Sequence, residues 1–409
     1  MRALISGASI AGPVLAYWLT RSGCDVTVVE RAPALRKTGG HAIDLFRPGM
    51  EISERMGVLP LIESRATGTT MMTVRRPGSS RVARIDYAKL IAVTSDRHVE
   101  IMRDDLSEIY YDAASDDVEY IFGDQIAALS DDGDVTFEHG RPRQFDVIIG
   151  ADGLHSGVRR VVFGPDTPER FLGGYLAVLS VPKSLAREGE MNGYYDANRL
   201  AMIYTADHLT DARAVFLFRP AAPVAYDHRD TPLQRQLLRD AFGGADAQVD
   251  SWLAEMGDGS AHTRAFYFDA ITQLEMTSWS RGRVTLVGDA GYCPGPAVGG
   301  STSLAVYGAY VLAAELARAN GNHVDAFAAY ERTMRAPVVG SRAFARQTAK
   351  TLVPGSQLGV TALIGLGRLI SILPMGVTSR IARLNTKGVR LYESMPVPDF
   401  PAGAVLAER

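Results

Sequence analysis

Gly7, Ser9, Gly12 and Glu30 make the most chemically informative spacing near the start of the chain. An apolar run over residues 2–6 precedes the turn Gly7-Ala8-Ser9-Ile10-Ala11-Gly12. A helical run over 13–22 and a second strand over 25–29, ending on Glu30, complete the unit. Strand, turn, helix and strand in this order aim backbone N–H groups and a helix dipole at a pyrophosphate. Gly7 permits the tight turn and Gly12 permits close helix–strand packing. Ser9 stands where a GxGxxG pattern has its middle glycine, and its side chain narrows the approach to phosphate. Glu30 follows Gly12 by 18 residues, near the roughly 20 at which an acid accepts ribose hydroxyls. Its charge suits an unphosphorylated 2′-hydroxyl, as in FAD or NAD, and repels the extra phosphate of NADP. The candidate contacts are Ser9, Ile10, Ala11, Glu30 and Arg31.

Two later segments repeat the strand-into-glycine-turn design. Residues 145–149 run into Gly150-Ala151-Asp152-Gly153-Leu154-His155-Ser156-Gly157-Val158-Arg159. Residues 284–287 run into Gly288-Asp289-Ala290-Gly291-Tyr292-Cys293-Pro294-Gly295-Pro296. Asp289 thereby ends a buried strand at the carboxyl edge of a parallel sheet, where open α/β sheets bind ligands. Gly299-Gly300-Ser301-Thr302 opens a long helix over 303–318, so free N–H groups gather there.

The elements that position these residues follow from hydrophobic period. The 409 residues suffice for two domains. Strand signatures at 1–45, 118–150 and 284–287 with intervening helices indicate α/β architecture with a parallel sheet. Residues 99–114 have helical spacing, with Arg103 near the start. Alternation at 70–74 and 81–85 about Pro77-Gly78 predicts a hairpin inserted in the α/β unit. Between 171 and 268 strand patches dominate, interrupted by a helix at 232–242, which predicts a second, mainly antiparallel domain. Helices follow over 324–350. An apolar tail over 358–373 is too short and interrupted to span a membrane, and a loose terminus is expected from Met395.

Composition narrows the function. Hydrophobic residues make up 46% and charged residues 22%, and 43 basic against 46 acidic residues give a net charge of −3. Nucleic acid is therefore not an expected partner. The two cysteines, Cys24 and Cys293, have no ligand or disulfide spacing, and the eight histidines do not pair at ligand spacing. No metal is expected, and His155 and His262 read as structural. With the first strand starting at once, a cytoplasmic location is expected.

In combination and order, the three glycine segments resemble class A flavoprotein monooxygenases, over roughly residues 1–350. That group is typified by p-hydroxybenzoate hydroxylase and includes aromatic polyketide hydroxylases and tetracycline-inactivating monooxygenases. The variant glycine-rich loop resembles the polyketide and tetracycline branches more than the benzoate branch. The resemblance implies a Rossmann-like FAD-binding domain of glutathione-reductase type with an inserted antiparallel substrate domain and C-terminal helices. It implies domain pieces 1–72, 97–170 and 270–350 for FAD, 73–96 and 171–269 for substrate, and 351–409 for the tail.

The resemblance also implies roles. Asp289 contacts the ribityl or pyrophosphate part of FAD, Arg47 and Arg103 lie near its phosphates, and Asp44 is an acidic FAD contact. Pro296 lines the reactive face of the flavin. Gly299, Gly300, Ser301 and Thr302 offer N–H groups to the negative charge developing at N1 and O2 of reduced flavin. Asp152 has two readings, a contact to FAD or NAD(P)H and a turn cap. NAD(P)H is a transient co-substrate, in keeping with the lack of a second glycine fingerprint; Arg36 and Lys37 are a weaker candidate for its phosphates. No side chain is assigned as catalytic, because the flavin carries the chemistry through a C4a-hydroperoxide. The expected substrate is a small aromatic or polyketide-like molecule, with O2 as oxidant and Tyr195, Arg213 and Phe216 of the inserted sheet as candidate contacts. The expected state is a monomer or homodimer with no membrane span. Alternatives are a halogenase, for which Trp18, Trp252 and Trp279 stand too isolated to make the Trp-x-Trp motif, a flavin-dependent reductase, and a non-catalytic flavin sensor.

Overall fold

The structure, a computed structural model, describes residues 1–35, 39–92, 97–257, 265–296, 300–374, 391–392 and 395–401. Arg36, Lys37, His262 and Gly299 lie outside the described residues. Elements are numbered in chain order.

A six-stranded sheet is built from β1 (Arg2–Ser6), β2 (Asp25–Glu30), β7 (Glu119–Phe122), β11 (Val147–Gly150), β17 (Ser280–Arg281) and β18 (Val284–Leu286), in the order β17-β18-β11-β1-β2-β7. All its pairings are parallel except β17 with β18. Leu4, Ile5, Ile148, Ile149 and Leu286 are fully buried, as the apolar runs of a sheet covered on both faces require. Helix α1 (Ala11–Thr20) packs against α10 (Ser301–Arg318). Both are lined with small residues, which lets their backbones approach. A Cβ on Gly12 would overlap the Gly7 carbonyl oxygen, and Gly7 itself adopts φ +112°. Only glycine fits either position.

A seven-stranded sheet has the order β16-β12-β15-β14-β13-β4-β5. Its members are β4 (Met71–Arg75), β5 (Ala83–Asp86), β12 (Glu169–Pro182), β13 (Glu190–Asp196), β14 (Arg199–Tyr204), β15 (Asp211–Phe218) and β16 (Phe266–Leu274). The expected hairpin at 70–85 forms as β4–β5, and it joins this sheet through a parallel pairing with β13. Alternate residues face opposite sides. Phe216, Phe218 and Phe268 meet α7 (Thr231–Phe242) and α8 (Ala247–Ala254) on the outer face, while Leu176, Val178, Tyr204, Val215 and Leu217 form the inner cluster with Met102. A small sheet of β8 (Ile126–Leu129), β9 (Asp134–Phe137) and β10 (Arg143–Gln144) flanks the first sheet.

Three expectations are corrected. Residues 99–114 are not one helix: β3 (Ala42–Phe46) pairs antiparallel with β6 (His98–Met102), and α5 (Arg103–Ala114) starts after them. Val99 and Ile101 alternate with more polar neighbours at a strand period, and Asp104 and Asp105 favour a helix start at Arg103 through the dipole. Residues 324–350 belong to a single helix, α11 (His323–Leu352), which continues through Pro337. The described C-terminal residues are not loose. Phe400 packs its ring, tilted, against Trp18 and Tyr310, and Arg55 donates to the carbonyls of Val397 and Pro398. The remaining helices are α2 (Arg47–Arg55), α3 (Leu59–Ser64), α4 (Tyr87–Ala92), α6 (Gly157–Phe163), α9 (Asp289–Tyr292) and α12 (Gln357–Ile372).

Candidate cofactor site

The first glycine turn is held from both sides. Gly7 N–H donates to the Val29 carbonyl at 2.8 Å, fixing the turn to β2. The Glu30 carboxylate accepts from Ala8 N–H at 2.9 Å and from Ala32 N–H at 2.8 Å. Two of its lone-pair directions are thereby used for the turn, leaving others for a ribose hydroxyl. Ile10 and Ala11 are buried at the start of α1, and Arg31 is exposed beyond Glu30.

Helix α5 closes on the same turn. Arg103 Nη2 donates to Ser9 Oγ at 3.2 Å, and Ser107 Oγ donates to the Ser9 carbonyl at 3.1 Å. The Ser9 side chain that departs from the glycine pattern is therefore engaged by the arginine. Burial pushes the Asp289 carboxyl upward, and the Arg103 charge pulls it back down. Arg103 thus lies electrostatically between two of the three glycine segments. Burial, with the same guanidinium, lowers the His41 imidazole to about 4, so His41 is neutral at physiological pH. Arg47 is exposed at the first position of α2, and no partner is recorded for it among the described residues.

Asp44 and Glu100 are directly opposed in the β3–β6 ribbon. Burial, reinforced by the Glu100 charge, pushes the Asp44 carboxyl up to about 7, and its Oδ1 is buried without a hydrogen-bond partner. Burial also raises Glu100, against hydrogen bonds from Thr67 and Tyr87 that favour its anion. An orphaned buried oxygen of this kind is costly unless a ligand uses it.

The second segment serves first as a brace. Asp152 accepts from Ser156 Oγ at 2.5 Å and from the N–H groups of Gly157 at 2.8 Å and Val158 at 3.1 Å, capping α6. Arg159, buried, donates to the Ala290 carbonyl at 2.9 Å and the Leu154 carbonyl at 2.6 Å. It ties the second segment to the third, a role its place in the motif alone did not reveal. Beside this loop, His155 Nε2 lies 2.9 Å from Asp269 and its ring stacks on His228 at 4.2 Å. They border a recess of about 170 Å³. In the third segment, Cys293 is fully buried and its thiol is pushed well above its ordinary value by burial, so it is no nucleophile. Pro296 is half-buried. Gly300 caps α10 with φ +81°, where a Cβ would overlap the Tyr392 ring, and Ser301 and Thr302 occupy the first turn.

The three candidate substrate contacts separate. Tyr195 lies in the inner cluster, half-buried. Arg213 also belongs to the inner face, yet it is only 2% exposed: its Nε donates to the Gly40 carbonyl at 2.8 Å, and its guanidinium meets Asp211 at 2.5 Å and Asp104 at 3.7 Å. Those partners make it a brace for the loop before β3, with Nη1 ion-paired to Asp211 but outside hydrogen-bond geometry. Phe216 points the other way, fully buried against Phe242 and Trp252. One residue of strand parity sets it on the wrong face. Tyr204 of β14 and Tyr267 of β16 face inward with Tyr195.

The residues present fit FAD. A glycine cradle that any Cβ would fill, an acid placed for ribose, an arginine at the turn and an unpartnered carboxyl oxygen suit a dinucleotide with polar groups along its length. Fold and site together define a flavoprotein whose nucleotide-binding sheet is drawn from three stretches of chain, with a second sheet inserted between them.

Comparison with known proteins gives the particular family. Residues 1–339 match the FAD binding domain family. An uncharacterised protein of Mycobacterium tuberculosis is 42% identical over 80% of this chain and 88% of its own length. A flavin-dependent monooxygenase of Legionella longbeachae is 36% identical over 84% of this chain and 87% of its own length. Among solved structures, tetracycline destructase Tet(51) is 30% identical with a TM-score of 0.81, covering 98% of this chain and 99% of that one. The chain belongs to the FAD binding domain family of class A flavin-dependent monooxygenases. It is an FAD-dependent oxidoreductase.

Proposed function

We propose that the protein uses NAD(P)H and O2 to place one oxygen atom on a polycyclic phenol or enol of the tetracycline or aromatic polyketide type. The observation that carries this reading is the end-to-end likeness to tetracycline destructase Tet(51). The reaction balances as substrate, O2, NAD(P)H and one proton giving hydroxylated substrate, NAD(P)+ and water.

Bound FAD supplies hydride acceptance and oxygen activation. The chain's own groups do the rest. Glu30 and the turn amides bind the adenosine and pyrophosphate end, Arg103 neutralises phosphate charge, and Ser301 and Thr302 present N–H groups at the positive end of α10. Asp44 holds a proton near neutral pH and can donate a hydrogen bond from its carboxyl group. The inner face, with Tyr195, Tyr204 and Tyr267, supplies aromatic surface and excludes water from a flat substrate.

The test is aerobic NAD(P)H oxidation with a panel of tetracyclines, anthraquinones and simple phenols. Polycyclic compounds are expected to accelerate it, with product formed in step with NAD(P)H consumed. Uniform release of peroxide with every compound contradicts the proposal.

A further inference from the structure

Helix α12 is apolar on both its inner and its outer face, with Gln357, Thr361, Arg368 and Ser371 along one flank. Its inner face, Val360, Ile364, Gly367 and Ile370, is buried. It packs on β5 and α4, with Gly367 tight against Ile85. Its outer face carries Leu358, Leu366, Leu369 and Ile372, exposed by 84, 55, 49 and 78%. Five of the ten large apolar side chains exposed among the described residues belong to this one helix, Leu363 being the fifth. That makes a patch rather than scatter.

Charge indicates what covers it. Arg368 on α12 and Arg76 on the adjoining hairpin have no ion-pair partner among the described residues. Arg76 donates to Thr361 of α12, which places it at the flank of the patch. The acid of this hairpin, Asp86, is engaged by Lys89, whose ammonium also donates to the Ser371 carbonyl at the end of α12. The chain as a whole is acidic, with net charge −3, so this cationic rim is local. The helix also lies at 107° to α11, and among the described residues no single helix is long and apolar enough to cross a membrane. A short apolar face rimmed by arginines suits the surface of an anionic bilayer, apolar side chains among the acyl chains and guanidinium groups at the phosphates.

We infer that α12, with the β4–β5 hairpin, docks the enzyme on anionic phospholipid membranes. This is independent of the substrate assigned above.

The test is flotation of the full-length FAD-loaded protein with vesicles of phosphatidylcholine, alone or mixed with phosphatidylglycerol. Binding to the mixed vesicles, absent with phosphatidylcholine alone and reversed by high salt, is expected. The double variant Leu366→Glu and Leu369→Glu should lower bound protein about tenfold or more, with flavin content unchanged as the check on folding. Arg76→Ser with Arg368→Ser, which leaves the apolar face intact, should weaken binding to the anionic vesicles several-fold. No binding to phosphatidylglycerol vesicles, equal binding to both compositions, or binding unaffected by both double variants overturns the inference. A lipid-free dimer that the leucine substitutions abolish also overturns it, by assigning the face to a second copy.

Discussion

Asp44 and Glu100 stand directly across the β3–β6 ribbon from one another, two carboxyl groups in one buried patch. In the folded chain Asp44 keeps its proton up to about 7, against an ordinary value of 3.8. The folded state therefore binds more protons than the unfolded state over that interval, and stability falls as pH rises through it. The loss is complete above the folded value. Asp44→Asn, which mimics the protonated form, removes this dependence. Urea unfolding should show the variant more stable than the parent by about 1–3 kcal/mol near pH 8 and no more stable near pH 4. An equal difference at both pH values contradicts the assignment.

Arg103 engages the Ser9 side chain and acts on both Asp289 and His41. Arg103→Ala should weaken FAD binding by roughly tenfold to a hundredfold, the size of a lost charge-assisted hydrogen bond. The same substitution should raise the His41 value from about 4, since the guanidinium is one of the two causes of its depression. Fluorescence titration with FAD and NMR titration of the imidazole measure the two effects.

Gly12→Val should be among the most damaging substitutions in the chain. The Gly7 carbonyl already fills the space a Cβ needs, and backbone cannot yield as a side chain can. A loss of about 3 kcal/mol or more is expected from overpacking, read as a lowered urea midpoint and loss of retained flavin.

Asp152 accepts three hydrogen bonds from the start of α6. If its work is to cap that helix, Asp152→Asn should cost about 1–2 kcal/mol of stability and leave the KM for NAD(P)H unchanged. A raised KM with unchanged stability would assign Asp152 to the nicotinamide instead.

Much of this arrangement could be read from residue order. The parallel strands β1, β11 and β18 are continuous apolar runs ending in glycine turns, and such runs have few other uses. The ribbon was harder. Val99 and Ile101 fit a helix as well as a strand within so short a run, and only pairing with β3 decides between them. Missing β6 concealed Glu100, and with it the partner that makes Asp44 unusual. Phe216 illustrates a second limit. Aromatic composition marks a sheet as having a core, but the face each side chain takes follows from parity and from which face α7 and α8 cover. Arg213 shows the third. A lone cation on a strand looks free until the Asp104, Asp211 and Gly40 partners from distant segments are in place.

The central claim is that this chain's FAD transfers an atom of dioxygen to an organic substrate. Turnover with NAD(P)H and a tetracycline under isotopically heavy O2, followed by mass spectrometry, tests it most directly. The expected product gains one heavy oxygen atom. A product unchanged in mass, or one that takes its new oxygen from water, would contradict the account.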